Sequence, residues 1–115
     1  MRVHNRSRGS VLADRALVGT SAPTPTLAQG LIHQPPPHDG EALVIWTNGE
    51  SRSSGNVRTV DLLFVGSDGQ IVHCARCVSP SRVVPAEADA RLVIELPAGT
   101  VERSGTEIGD YIEFS

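Results

Sequence analysis

Short apolar runs separated by polar turn residues dominate this chain. The runs are rich in Val, Ile and Leu, and each is bounded by Gly, Pro, Asn, Asp or Ser. This pattern is typical of β-strands. Six strands are predicted, over residues 11–19, 41–46, 59–66, 70–78, 90–97 and 110–115.

The run 90–97 shows a partial period of two. Leu92, Ile94 and Leu96 fall on one face of the predicted strand, with Arg91 and Glu95 on the other. We therefore expect Glu95 on the solvent face, or paired with an Arg across the sheet.

The segments between the runs also carry turn and loop signals. Asp68-Gly69 lies between the runs 59–66 and 70–78 and predicts an antiparallel hairpin. The Pro-rich stretches 20–26 and 34–40 cannot lie inside a sheet, and residues 47–56 form a polar loop. Two short helices are possible, one from Leu27 capped by Thr26 and one turn within 98–105 capped by Thr100.

Six strands and one or two short helices in 115 residues predict an all-β fold. Because no connection resembles a crossover helix, most neighbouring strands should be antiparallel, in a sandwich or small barrel. We expect a single β domain over residues 9–115, preceded by a flexible N-terminal arm over residues 1–8.

Composition and charge exclude several classes of partner. Hydrophobic residues make up 39% of the chain and charged residues 20%, which is typical of a globular domain. A net charge of −3, with ten basic residues that are all Arg, argues against a nucleic-acid partner. No apolar run approaches the roughly 20 residues that span a bilayer, so no membrane partner is expected. The N-terminus lacks the hydrophobic segment of a secretory signal, which predicts a cytoplasmic location with reduced thiols.

The two cysteines, Cys74 and Cys77, raise the question of redox or metal chemistry. On a regular strand, residues three apart point to opposite faces, with Cα atoms about 10 Å apart. A disulfide needs Cα atoms closer than about 7 Å. The four histidines do not complete a zinc-binding pattern. We therefore expect no disulfide, no metal site and no cofactor.

Arg58 and Asp61 are the most informative polar pair. Asp61 adjoins the apolar residues 62–65 and, if partly buried, needs a partner. One interpretation is a ligand contact from Arg58, oriented by Asp61. The other is a structural ion pair, or an Asp61 carboxylate that accepts hydrogen bonds from loop amides. Arg58, Asp61 and His73 are the candidate ligand-binding residues, and no catalytic residue can be identified.

Three segments resemble an uncharacterised family, number 192 among domains of unknown function. The opening "VLADRALVGTSAPTPTLAQGLIHQ" is similar to the strand, short helix and Gly-Leu motif of that family. "NVRTVDLLFVGSDGQIV" resembles its central hairpin, and "ARLVIELPAGTVERSGTEIGDYIEF" its closing segment. The resemblance covers residues 8 to 115 and implies a jelly-roll-like β-sandwich without an established activity. This sequence lacks the Arg that commonly precedes the Gly-Leu motif in that family. It also lacks the His and the Met that commonly precede the hairpin.

Three functions remain open. The first hypothesis is a non-catalytic binding or interaction module for an unknown small molecule or protein. The second is a small enzyme with a polar pocket around Arg58 and Asp61, with His33 or His73 as a further member. The third is a self-associating structural domain, in which an edge strand such as 110–115 pairs across a homodimer axis.

Overall fold

The computed structural model describes residues 1–19, 38–46, 52–53, 59–79, 83–84 and 88–115, with the backbone alone for residues 19, 52–53 and 83–84. The described residues contain ten strands and one short helix, α1 (Thr100–Ser104). The strands are β1 (Val3–Asn5), β2 (Ser10–Ala13), β3 (Arg15–Gly19), β4 (Glu41–Trp46), β5 (Arg52–Ser53), β6 (Val60–Gly66), β7 (Ile71–Val78), β8 (Val83–Val84), β9 (Ala90–Pro97) and β10 (Ile112–Phe114). The all-β prediction is confirmed.

Two main sheets form the body of the molecule. A three-stranded sheet has the order β10-β1-β2, a five-stranded sheet has the order β3-β4-β9-β6-β7, and β5 pairs with β8. All neighbours are antiparallel except β3 and β4, which run parallel. A parallel pair needs a long connection, and residues 20–37 of that connection lie outside the described residues.

The two main sheets are joined at both sides. The predicted strand 11–19 divides at Asp14, whose amide donates to the Gly40 carbonyl at 2.9 Å, so the chain passes from β2 in one sheet to β3 in the other. On the opposite side, Ile71 donates its amide to the Asp110 carbonyl at 2.9 Å, and Gly109 donates to the Ile71 carbonyl at 2.9 Å. These links give the sandwich a barrel-like closure.

The main core lies between the two sheets and under helix α1. It is built from small and branched aliphatic side chains, as the scarcity of aromatic residues in the sequence requires. Its buried members are Val3, Leu12, Ala13, Ala42, Val44, Leu63, Val65, Ile71, Ile94, Leu96, Val101 and Ile112.

The opposite face of the five-stranded sheet is also buried. A second-face cluster contains Val60, Leu62, Phe64, Ala75, Val78, Ala90 and Val93. The alternation predicted for 90–97 is correct, since Ile94 and Leu96 lie in the main core and Val93 in the second-face cluster. Of the two expectations for Glu95, exposure to solvent is wrong, because the residue is only 2% exposed. Pairing with an Arg across the sheet stays a prediction.

The N-terminus differs from the expected flexible arm over residues 1–8. Residues Val3–Asn5 form β1, the central strand of the three-stranded sheet, and both Val3 and Asn5 are fully buried. Strand β1 pairs with β10 on one side and β2 on the other. The first residues are therefore an integral part of the sheet.

The central hairpin is confirmed. Strands β6 and β7 are antiparallel neighbours, and Gly69 donates its amide to the Gly66 carbonyl at 3.0 Å. Gly69 has a φ of 89°, in the left-handed region that this type of hairpin requires after its turn.

Helix α1 is the predicted turn within 98–105, but its cap differs. Its N-cap residue is Gly99, without a side-chain cap of its own, and the Thr100 hydroxyl donates to the Pro97 carbonyl at 2.7 Å. Thr100 is thus not the cap that the sequence suggested. The helix predicted from Leu27, and most of the loop 47–56, lie outside the described residues.

Candidate functional site

Asp61 lies at the junction of three structural elements. It is fully buried in β6, on the face that carries the main core. Its Oδ1 accepts the Cys77 amide at 2.9 Å, and its Oδ2 accepts the amides of Gly99 at 3.1 Å and Val101 at 3.0 Å. Asp61 therefore caps helix α1 from a neighbouring strand and holds it against β7.

Strand β7 contains a β-bulge beside Asp61. Val60 pairs with Val78 and Leu62 with Ala75, so one residue between the pairs on β6 lies opposite two residues on β7. Cys77 has a φ of 53°, the only positive φ of a non-glycine residue in the described part of the chain. The extra residue leaves an amide without a ladder partner, and the Asp61 carboxylate accepts that amide.

The bulge overturns the argument that strand alternation separates the two cysteines. Ala75 and Val78, also three residues apart, both lie in the second-face cluster, so the regular period of two is interrupted before Val78. The half-buried Cys74 packs against the main core, Cys77 is exposed, and both border the same cavity. The prediction of a strand at this position is correct, but the prediction that its side chains alternate regularly is wrong.

That cavity, which we call the β7 groove, has a volume of about 550 Å³. It lies between β7 and the start of helix α1, and it is lined by Asp61, His73, Cys74, Ala75, Arg76, Cys77, Gly99 and Glu102. Its volume is in the range of small-molecule sites.

Two of the three candidate ligand-binding residues therefore meet at one cavity. Asp61 forms part of the wall, and the ring of His73 packs against Phe64 with ring centroids 5.5 Å apart. Arg58 lies outside the described residues. A role of these residues in ligand binding stays a prediction.

The thiols of the groove are free. Burial is the main cause that raises the pKa of the Cys74 thiol, the nearby Asp61 charge raises it further, and Arg76 partly opposes both. A thiol with a raised pKa is protonated near neutral pH and is a poor nucleophile. Among the described residues, no three His, Cys, Asp or Glu side chains converge in an arrangement that could hold a metal ion.

Replacing Cys77 by glycine is expected to raise the free energy of unfolding by about 0.5–1 kcal/mol. The substitution removes the left-handed strain of a residue with a Cβ, which outweighs the extra freedom of glycine in the unfolded chain. Urea unfolding measures the change. The matched control is Arg76→Gly in the same bulge, which has no positive φ to relieve and should destabilise. Equal destabilisation by both substitutions would show that the Cys77 backbone is not strained.

A second polar cluster joins the two ends of the chain. The Asn5 side-chain amide donates to Thr106 Oγ1 at 3.0 Å and to Asp110 Oδ2 at 2.9 Å. Arg8 donates to Asp110 at 2.7 Å and forms an ion pair with Glu107 at 2.9 Å. The Glu107 amide also donates to Asp110, at 3.0 Å, so this carboxylate holds the turn that precedes β10. The role of Asn5 in this cluster was not predicted, because a short polar stretch at the N-terminus gives no strand signal.

Acidification should weaken this cluster. Burial acts to raise the pKa of Asp110, but hydrogen bonds from Asn5, Arg8 and the Glu107 amide outweigh it, and the net pKa is lowered. A carboxyl with a lowered folded-state pKa stabilises the protein above its unfolded pKa of about 3.9, and this stabilisation is lost as the pH falls through the folded pKa. We expect Asp110→Asn to cost about 1–2 kcal/mol at pH 7 and to flatten the loss of stability below about pH 4.

Urea unfolding of both proteins between neutral and acidic pH measures this difference. Asp89→Asn, at an exposed position, is the control and should keep the wild-type pH dependence. An Asp110→Asn protein with the same acid limb as the wild type would rule out this source of acid sensitivity.

The C-terminal segment forms an edge strand, as predicted, although part of its edge is occupied. Strand β10 is the outer strand of the three-stranded sheet, and the Ile112 amide donates to the Gly69 carbonyl at 2.8 Å on the side away from β1. Self-association through this edge stays a prediction.

The described part of the chain holds no helix with the length and apolar character that a bilayer crossing demands.

Comparison with known proteins identifies relatives of the same fold. The model of the DUF192 family, described as Uncharacterized ACR, matches residues 14–114. A crystal structure of a protein of unknown function from Novosphingobium aromaticivorans matches with a TM-score of 0.73 and 23% identity, over 98% of this chain and 82% of that one. A protein from Sinorhizobium meliloti, named provisionally as a transcription regulator, matches with a TM-score of 0.72 and 24% identity, over 97% of this chain and 89% of that one. At these identities the likeness shows the fold alone. Among curated proteins the chain has no match.

Proposed function

This chain belongs to the DUF192 family of uncharacterised domains, and from that premise we propose that it is a non-catalytic binding module with its ligand site in the β7 groove. The observation that carries the proposal is a cavity of about 550 Å³ lined by His73 and Arg76, with the buried Asp61 in its wall. The ligand class that we propose is a small polar molecule with an anionic group.

The charges at the groove support an anionic ligand. Arg76 and Glu102 both line the groove and are exposed, and neither forms an ion pair within the described residues. A guanidinium without a carboxylate partner is suited to bidentate contact with a carboxylate or phosphate. His73 lines the same cavity and supplies a ring nitrogen for a hydrogen bond. Glu102 on the helix side disfavours ligands that carry several negative charges.

Binding is better supported than catalysis. Both oxygens of Asp61 already accept backbone amides, so this carboxylate is poorly placed to take a proton from a substrate. The raised pKa of Cys74 keeps its thiol protonated, which does not suit a nucleophile. We retain Arg58 as an additional anion contact.

We also propose a cytoplasmic location. Two free thiols that border the same cavity would be maintained in a reducing compartment. Cell fractionation of the native host tests this proposal, and recovery of the protein in an extracytoplasmic fraction would contradict it.

Titration of the ¹⁵N-labelled protein with organic carboxylates, phosphate esters and nucleotides tests the binding site by NMR. We expect at least one class to shift the amide signals of residues 73–77 and Glu102. Arg76→Gln should weaken this binding by about tenfold or more, as expected for the loss of a charge-assisted contact. The control Arg91→Gln removes a guanidinium that bonds to the carbonyls of Ala88 and Ala90 and does not line the groove.

Two outcomes would reject the proposal. One is the absence of localised shifts at the groove across the whole panel. The other is equal binding by the wild type and Arg76→Gln, which would place the ligand elsewhere.

A further inference from the structure

A second cavity lies between strand β2 and helix α1 and has a volume of about 410 Å³. We call it the β2–α1 pocket. Residues 10–14 and 39–40 line one side, and Pro97, Thr100, Arg103 and Ser104 line the other. It shares no lining residue with the β7 groove, so it is a separate candidate site.

Opposite charges line this pocket without neutralising one another. On the helix side, the exposed Arg103 lines the pocket. Its guanidinium lies against Gly99, at the boundary with the β7 groove, where a Cβ would be 2.9 Å from Nη1. On the β2 side stand Asp14 and Asp39. Neither carboxylate pairs with Arg103 in the described structure, and Asp14 has only a long contact of 4.0 Å with the exposed Arg2.

One residue in the wall of this pocket carries an unsatisfied hydroxyl. Ser10 Oγ is buried and has no hydrogen-bond partner, the only such side-chain atom among the described residues. A buried polar atom without a partner calls for a specific explanation. A rotation about χ1 would turn this hydroxyl to another staggered position, and a polar ligand in the pocket would then supply its partner.

We propose that the β2–α1 pocket binds a small zwitterion of the amino-acid class. Arg103 holds the carboxylate of the ligand, and Asp14 and Asp39 hold its ammonium group. Such a ligand satisfies both signs of charge at once. Each of its ends forms a charge-assisted hydrogen bond with a side chain that has no ion pair of comparable strength with any other described residue. A ligand with one charge leaves one side of the pocket unpaired. The cavity volume is in the range of small-molecule sites.

The test is an NMR titration of the ¹⁵N-labelled full chain with two series of probes. The first series contains α-amino acids, and the second contains ω-amino acids of increasing length, which vary the separation of the two charges. Each probe is compared with its N-acetyl and its amide derivative, which lack one charge. We expect shifts at residues 11–14 and 103–104, and binding that weakens by about tenfold or more when either charge is blocked.

Three variants in the pocket and one control outside it localise the site. Arg103→Gln and Asp39→Asn should each weaken binding by about tenfold, whereas Arg91→Gln, which does not line the pocket, should not. Ser10→Ala should leave the thermal midpoint of the free protein unchanged or raised, since the hydroxyl has no partner to lose, and should weaken binding.

The proposal is overturned if neither probe series shifts these amides, if the blocked derivatives bind as well as the parent zwitterions, or if Arg103→Gln binds like the wild type. These outcomes are independent of the β7 groove, whose reporters are residues 73–77 and Glu102. Either site can therefore fail without the other.

Discussion

Replacing Asp61 by alanine should lower the free energy of unfolding by about 3–5 kcal/mol, because three backbone amides lose their acceptor in a buried environment. The three amides belong to Cys77 in the bulge and to Gly99 and Val101 at the start of helix α1. In the described part of the chain, no other side chain caps the start of this helix, so the helix and the bulge should loosen together. Urea unfolding monitored by circular dichroism measures the loss.

Two further variants make the test specific. Asp61→Asn retains one acceptor oxygen and should lose about half as much stability, which keeps the measurement possible if the alanine protein does not fold. Asp68→Ala removes an exposed carboxylate that accepts one bond, from the Gln70 amide at 3.0 Å, and should cost less than about 1 kcal/mol. If Asp61→Ala and Asp68→Ala unfold at the same urea concentration, Asp61 is not the anchor that its contacts indicate.

The second large effect is expected for Phe64→Ala, at about 3–5 kcal/mol. Phe64 is 1% exposed in the second-face cluster, so its removal leaves a cavity as well as a loss of buried apolar surface. Differential scanning calorimetry measures the loss. Phe64→Leu, which retains most of the volume, should cost about 1–1.5 kcal/mol.

The control for this prediction is Leu17→Ala, at a site that is 67% exposed, which should change stability by less than about 0.5 kcal/mol. A loss of less than about 1 kcal/mol in Phe64→Ala would mean that this face of the sheet is open to solvent. Because the Phe64 ring also packs on His73, the same variant should disturb the amide signals at the rim of the β7 groove.

The strands with a strong local signal could be predicted from the sequence. The Asp68-Gly69 turn fixed the central hairpin, and the alternation in 90–97 placed Ile94 and Leu96 on a single face correctly. Alternation shows which residues share a face, but it does not show what covers the opposite face. For this reason the burial of Glu95 could not be predicted.

Features that depend on contacts distant in sequence were missed. Strand β1 has three residues, one of them the polar Asn5, and it is stabilised by pairing with strands β2 and β10. The bulge in β7 left no signal, because a cysteine occupies the left-handed position where glycine would have marked it. Two residues that line the candidate site, Asp61 and His73, were named from the sequence, and their role in binding stays a prediction. Arg76 and Glu102 become relevant only when β7 and α1 are brought together.

The shared carboxylate of Asp61 has a consequence for hydrogen exchange. The amides of Cys77, Gly99 and Val101 have one acceptor residue in common, so they cannot become accessible to deuterium fully independently of one another. Local opening at this corner should expose them as a group. Hydrogen exchange at these three amides therefore reports how firmly the buried side chain of Asp61 holds β7 and helix α1 together.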